Sequence, residues 1–396
     1  MSEILCRHFS GYKPCKRSEK CDSTCASRSI PQTRILIVHL GAIGAVLRST
    51  ALLASIHKKY PESHVTWVTQ KPADQLLREN PLIDRVLTTE RDDLLGLSCL
   101  EFDVALCVDK SLAAGGVLRS TKCKKIYGFR IETVTGAILP ATPAAQPLWE
   151  LGLSDEKKFF VNTKPETQLV AEALELEYAR DPYHVVLTEE EEKLTLLRRS
   201  QWALNQEVVV GVNTGCSGVI PYKKLTVDAH RRMIQSLKGL GVKVVLLGGA
   251  EDRVRNQQIA HGMQVVSSPT DLGLRDGLIS VNACDVVVSG DSLGMHMAIA
   301  MKKWVVAWFG PTCAHEIDLY DRGTKVSTQA GCAPCWKRSC NKVPMCYDLV
   351  DINEIVSGVK KGIQWLMLSS IPRLSVISFS PSPSLEKSKG DGLTTF

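Results

Sequence analysis

The chain has 396 residues, 44% of them apolar and 23% charged. That is ordinary globular usage, and it excludes a mainly disordered chain, a collagen-like repeat and a disulfide miniprotein. Lys and Arg number 48 against 42 Asp and Glu, a net charge of +6, which suits an anionic ligand or a membrane face but is too small to argue for nucleic acid.

The length predicts two or three domains at roughly 150 residues each. Met1 to His8 lack the apolar core of a signal peptide. No run of ~20 apolar residues is present, so no membrane-spanning helix is expected. A cytoplasmic protein with reduced thiols is the expectation.

Residues 1–32 form a Cys-rich segment, with Cys6, Cys15, Cys21 and Cys25 among Lys, Arg, Ser and Gly. It cannot bury a core of its own. From Arg34 the pattern becomes strand, turn, helix, and residues 33–165 read as a first Rossmann-like domain. Arg34–Leu40 (RILIVHL) is a buried parallel strand, Gly41–Gly44 a turn, and Val46, Leu53, Ile56 and Tyr60 recur at helical spacing until Pro61. Further strands are expected at His64–Thr69, Asp103–Val108 and Lys125–Phe129, and Thr133–Trp149 reads as loop. A helical bridge is expected over 166–205, with Thr188 as N-cap and Glu191 as its capping-box partner. Residues 206–350 read as a second alternating domain. Its strands lie at 207–213, 242–249, 263–267, 284–290 and 304–310. An amphipathic helix closes the fold over 351–367, and the Ser-, Pro- and Lys-rich tail 368–396 is expected to be disordered. The fold class is therefore α/β, with two Rossmann-like domains facing across a cleft. The cleft, outside the carboxyl ends of the strands, is the expected site.

Four segments at strand ends carry candidate chemistry. The sharpest runs from Ser289 to His296 (SGDSLGMH), a buried strand turning into an apolar helix. Asp291 or Ser292 can cap that helix, whose free N–H groups can hold phosphate oxygens. His296 follows one turn later. The plain alternative is an ordinary cap and a packed histidine. Asn213–Ser217 (NTGCS), with Lys223 and Lys224 after it, suits a diphosphate or is a solvated loop. Glu251, after Gly248-Gly249-Ala250, can accept from a sugar hydroxyl, or simply favours a helix start. The Leu40–Thr50 segment, with Gly41, Gly44 and Arg48, matches neither the dinucleotide fingerprint nor a P-loop.

In combination these segments resemble the ADP-heptose:lipopolysaccharide heptosyltransferases, glycosyltransferase family 9, which have the GT-B fold. The residues that carry it are RILIVHLGAIGAVLRSTALL, YPESHVTWVT with NPLIDRVL, the NTGCS loop with KKL, SGDSLGMHMAIAMKKWVVAWFGPT, and CAPCWKRSC. The resemblance spans about 33–366. It implies an inverting, metal-independent sugar transfer, with the nucleoside-diphosphate-sugar donor on the second domain and a glycolipid or glycan acceptor against the first. It places Asp291, Ser292, Leu293 and His296 on the donor-binding helix start and Thr214 and Ser217 on the phosphate loop. Lys223 falls on the lysine that neutralises the phosphates, and Glu251 lies near the nucleoside-binding acid. A diphosphate leaving group needs its developing charge met by fixed donors and a cation, and one helix start and one lysine can supply both without a metal.

One departure matters. The family's first loop usually reads Gly-Asp-Val, with the Asp as general base, whereas this chain has Gly44-Ala45-Val46. Either another group such as Asp109 or His39 takes the proton, or the acceptor needs little base assistance, or the protein binds a sugar nucleotide without transferring it.

The cysteines form a second theme. Cys332-x2-Cys335-x4-Cys340-x5-Cys346, with Lys337, Arg338 and Lys342 interleaved, reads as a metal site for structural zinc or iron, or as a loop without metal. Cys6, Cys15, Cys21 and Cys25 make a weaker set with the same alternatives, and a coreless segment needs such a staple. No cofactor is expected to be required for catalysis. Cys99, Cys107, Cys123, Cys284 and Cys313 read as core residues. The basic Cys loop suits an anionic glycolipid and peripheral contact with the inner membrane face. A zinc-containing nucleic-acid binder is disfavoured: finger-type spacing is missing, and aromatics are only 6% of the chain.

Overall fold

The computed structural model describes residues 6–9, 13–15, 17–18, 21–203 and 207–369. In the first lobe the strands β1 (Thr33–Val38), β2 (Ser63–Thr69), β3 (Arg85–Thr88), β4 (Glu101–Cys107), β5 (Lys122–Ile131) and β6 (Ile138–Pro140) form one sheet in the order β3-β2-β1-β4-β5-β6. Only β6 runs antiparallel, paired with β5. In the second lobe β7 (Val209–Asn213), β8 (Lys243–Leu247), β9 (Val266–Ser267), β10 (Val286–Gly290), β11 (Trp304–Phe309) and β12 (Gly323–Ser327) form a parallel sheet in the order β12-β11-β10-β7-β8-β9. The central strands β1, β7, β10 and β11 are almost continuously apolar and buried, as expected where helices cover both faces of a sheet. Both sheets have the doubly-wound order that reverses direction beside the first strand. There the carboxyl ends of β1 and β4, and of β7 and β10, open toward a ligand.

The strands expected from sequence are all present. Three others are β3, β6 and β12. β6 and the helix Gln146–Leu151 occupy the Thr133–Trp149 stretch that reads as loop. The helix after β1 begins at Ile43, inside the expected turn, and is interrupted near Thr50: Ile43–Ser49 and Leu52–Lys59 are separate. Residues 166–205 are not a single bridge. Helix Glu166–Ala173 packs into the first lobe's core through Leu169, Val170 and Ala173. Helix Glu189–Trp202 is tied to the second lobe by Arg198–Asp276 and Arg199–Asp285 pairs at 2.7 and 2.8 Å. The Thr188–Glu191 capping box is formed as expected. The amino-terminal segment lies against the first lobe, where Arg7 reaches the Ser63 carbonyl and Asp84. The closing helix is Ile352–Ser369, so it runs through residues 368 and 369, where the disordered tail is expected to begin; the rest of that tail, 370–396, lies outside the described residues.

The lobes share a core. One hydrophobic cluster joins Leu47, Ala51 and Leu76 to Leu278, Met295, Met297 and Ile299. Tyr183, on the connecting segment, sits within it, edge-on to Tyr320 and 26° from parallel with the His296 ring. Arg180 anchors the same segment to Asp318 and Asp321 at 2.6 and 2.7 Å. Among the described residues no helix is long and apolar enough to cross a membrane.

Candidate functional site

The two sheets present their carboxyl ends to one cleft. On the second lobe, β10 ends at Gly290 and the helix Leu293–Ala300 begins with Ser292 at its N-cap position. The Ser292 hydroxyl does not cap the helix. It joins a buried network, accepting from Asn213 Nδ2 at 3.0 Å and meeting Ser289 Oγ at 3.1 Å. The first-turn N–H groups are thus left without a side-chain cap, the state in which a helix start favours an anion. Asn213 Nδ2 also donates to the Gly215 carbonyl at 3.0 Å, which draws the 213–217 loop against the helix start. A Cβ on Gly294 would lie 2.6 Å from the Asn213 side chain, so only glycine lets the loop come this close.

Lys223 enters from the next turn. Its Nζ is 3.5 Å from Asp291 Oδ2. Gly290 permits the approach, because a Cβ there would meet the Lys223 carbonyl at 2.1 Å. Asp291 is held below the ordinary carboxylate value: burial opposes its charge, but Lys223, His296, a hydrogen bond from Thr312 and Arg48 together outweigh it. His296 is buried. Burial, then Arg48, pushes its imidazole down to about 3, so it is neutral near pH 7. The remaining expected donor residues spread outward. Leu293 is half-buried on the helix start, and Ser217 and Glu251 are exposed at the rim. Thr214 turns its hydroxyl into the core onto Asn256.

On the first lobe, Gly44 lies against His296, where a Cβ would come within 2.6 Å of the ring. Ala45 beside it is half-buried and has no titratable group. Ala42 adopts φ 47°, an unfavourable conformation for a residue with a Cβ. The loop is held by Asp109, whose Oδ2 accepts from the N–H groups of Leu40 (2.9 Å) and Gly41 (3.2 Å). His39 is buried, its Nδ1 has no partner, and burial lowers its pKa to about 4. It lines a void of about 10 Å³ with Arg48 and Glu166, at most one water's worth of space. Arg48 pairs with Glu166 at 2.5 Å.

Two acids in the cleft were not among the sequence candidates. Glu166 is held below the ordinary carboxylate value: burial opposes its charge, but Arg48, Lys110, Lys158 and His39 together outweigh it. Glu316, on the turn Ala314–Glu316 beyond β11, is 8% exposed. Burial, then the neighbouring Glu166 carboxylate, pushes it up to about 7. Lys158 of the first lobe reaches it at 3.7 Å and lies over the Trp336 ring at 4.0 Å. No local spacing marks Glu316. The available signal was an acid just past the carboxyl end of a buried strand at the cleft.

The cysteines divide. Cys332, Cys335, Cys340 and Cys346 line one cavity of about 310 Å³, and burial plus the other three thiols pushes Cys346 up to about 11. Cys107, Cys284 and Cys313 are buried, while Cys123 is half-buried and Cys99 is exposed. Cys6, Cys15, Cys21 and Cys25 are half-buried. Among the described residues, donor atoms of three or more His, Cys, Asp or Glu come within 4.8 Å of one another only at Cys313, His315 and Glu316. There the cationic place is already filled by Lys158, whose carbonyl also accepts from His315 Nε2 at 3.2 Å.

Two doubly-wound lobes facing each other are the GT-B architecture of glycosyltransferases. The model of glycosyltransferase family 9 (heptosyltransferase) matches residues 96–345, and the chain belongs to that family. Among solved structures it resembles the family 9 glycosyl transferase of Veillonella parvula DSM 2008, with a TM-score of 0.66 and 17% identity over 85% of this chain and 99% of that one. It also resembles ADP-heptose lps heptosyltransferase II of E. coli (TM-score 0.58, 17% identity, 84% and 99% covered). A third likeness is to the iron-containing dodecameric glycosyltransferase TibC of enterotoxigenic E. coli H10407 (TM-score 0.51, 13% identity, 85% and 77% covered). A search of the curated proteins gave no match.

Proposed function

We propose that this heptosyltransferase-family protein is an inverting transferase that moves a heptose-like sugar from ADP-heptose to a lipopolysaccharide-core-like or other glycan acceptor, without a catalytic metal. The observation that carries this is the Lys223–Asp291 pair, 3.5 Å apart at the uncapped start of helix Leu293–Ala300. The diphosphate lies on the helix N–H groups with Lys223 as counter-charge, and both meet the charge that develops as the C1–O bond breaks. Ser217 lies on the phosphate loop, Glu251 at the rim lines the nucleoside end, and Leu293 packs against the donor. Gly41, Gly44 and Arg48 form the acceptor-side wall, and Thr214, Ser292 and His296 hold the donor floor. The name of the E. coli relative, an ADP-heptose lps heptosyltransferase, supports adenine as the base.

Asp109 and His39 fit less well as proton acceptors than as support. One is spent on two loop N–H groups and the other is a weak, enclosed base. The cavity lined by Cys332, Cys335, Cys340 and Cys346 is where a structural zinc or iron would sit, once the sulfurs, which do not converge as they stand, drew in around it; TibC is iron-containing. The amino-terminal cysteines are a second, weaker place for such an ion. Exposed Phe160, Val161 and Trp336 beside Lys157, Lys337 and Arg338 support peripheral contact with an anionic glycolipid surface.

The test is thermal shift and calorimetry of the full chain with ADP-, UDP-, GDP- and CDP-sugars. An adenine preference lost in Lys223→Ala and Asp291→Ala supports the reading, and no binding of any of them sinks it. Ala45 favours one other reading, a binder that does not transfer; ADP release from ADP-heptose excludes it.

A further inference from the structure

A hydroxyl that attacks a sugar carbon must lose its proton, and Ala45 cannot accept one. The other cleft acids are engaged. Asp109 accepts from two loop N–H groups, Asp291 pairs with Lys223, and Glu166 pairs with Arg48. Glu316 differs. Among the described residues its carboxylate makes no hydrogen bond, and its one ion-pair partner is Lys158 at 3.7 Å, drawn aside over the Trp336 ring. It stands on the turn after β11, the strand paired with β10, within electrostatic reach of Asp291 at the helix start and of Arg48 from the first lobe. The groups facing it are Glu166 from helix Glu166–Ala173, Lys158 from Lys157–Val161, Arg48 from helix Ile43–Ser49, and Asp291 from the β10 turn, with Cys313 and His315 on its own turn. Lys110 also acts on this group of charges.

We propose that Glu316 is the general base of the transfer, in place of the carboxylate absent at position 45. The inference rests on the glycosyl-transfer reading above and deepens it. The acceptor oxygen forms its bond to C1 while its proton passes to a Glu316 carboxylate oxygen. The C1–O bond to the diphosphate breaks, and the nucleoside diphosphate leaves with the electron pair. The new carboxylic acid then returns its proton to solvent. A carboxyl pushed up to about 7 by burial and by Glu166 is matched to proton transfer near neutral pH.

The experiment measures ADP release from ADP-heptose by the full chain, with lipopolysaccharide-core lipid or water as acceptor, from pH 5 to 9. ADP affinity is measured in parallel by calorimetry. Glu316→Gln should lower kcat by ~10²- to 10⁴-fold, leave ADP affinity within about twofold, and remove a rise in kcat whose midpoint lies near pH 7. Adding Ala45→Asp to that variant should restore at least about tenfold. Turnover in Glu316→Gln with an unchanged pH profile overturns the proposal, as does wild-type protein that binds ADP but releases none from ADP-heptose. Wild-type protein that binds no nucleotide sugar refutes the underlying transferase reading instead.

Discussion

Lys223 and Asp291 each keep less than a fifth of their side chain exposed, so removing either leaves a poorly hydrated lone charge. Lys223→Ala takes the cation from the proposed phosphate site, and donor affinity should fall by ~10- to 100-fold, in line with charge-assisted hydrogen bonds of about 1.5–3 kcal/mol. Titration calorimetry with ADP checks it; affinity within twofold of wild type would move the phosphates elsewhere. Glu316 makes a separate prediction about stability. Folded, its carboxyl holds a proton up to about pH 7, against an unfolded value of 4.5. The native state therefore binds more protons across that window, and stability falls as pH rises through it. Glu316→Gln removes this loss. The variant should gain on wild type between pH 4.5 and 8, by a margin of order 2–3 kcal/mol. Denaturant midpoints at pH 5 and 8 decide; parallel shifts would mean that Glu316 titrates normally. Asp109→Ala, which releases the N–H groups of Leu40 and Gly41 beside the strained Ala42, should cost about 1–3 kcal/mol and is read by the same midpoints.

At the scale of elements, helices Ile43–Ser49 and Leu293–Ala300 meet where Gly44 faces His296. A methyl at position 44 would sit 2.6 Å from a buried, neutral ring that has no room to swing away. Gly44→Ala should lower stability by about 1–3 kcal/mol through overpacking and part the helices, with lower Tm and a larger radius by small-angle scattering. No change in either would show that His296 moves freely. The central strands were readable because β-branched runs such as VVVSG and WVVAWF bury both faces and need no partner to be recognised. The Thr188–Glu191 box was readable because its chemistry is local. β3, β6 and β12 were missed because they are short and only partly buried, so their pairing is imposed by the neighbouring strand and not by their own pattern. Glu316 was missed for a related reason. Its environment comes from residues 48, 158, 166 and 291, which only the assembled cleft brings together.

Across the whole molecule, the cluster that joins Leu47, Ala51 and Leu76 to Met295, Met297 and Ile299 makes the two sheets one cooperative body. Scanning calorimetry should give a single transition, and two resolved transitions would mean the lobes unfold independently. The contact of Lys158 with Glu316 and Trp336 is of another kind. It joins the same lobes through one ammonium at 3.7 Å from a carboxylate and 4.0 Å from a ring centroid, worth about 0.5–2 kcal/mol. The seam is thus built of oil and this crossing of charge, with the His315 hydrogen bond to the Lys158 carbonyl beside it; added salt should weaken the second and leave the first untouched.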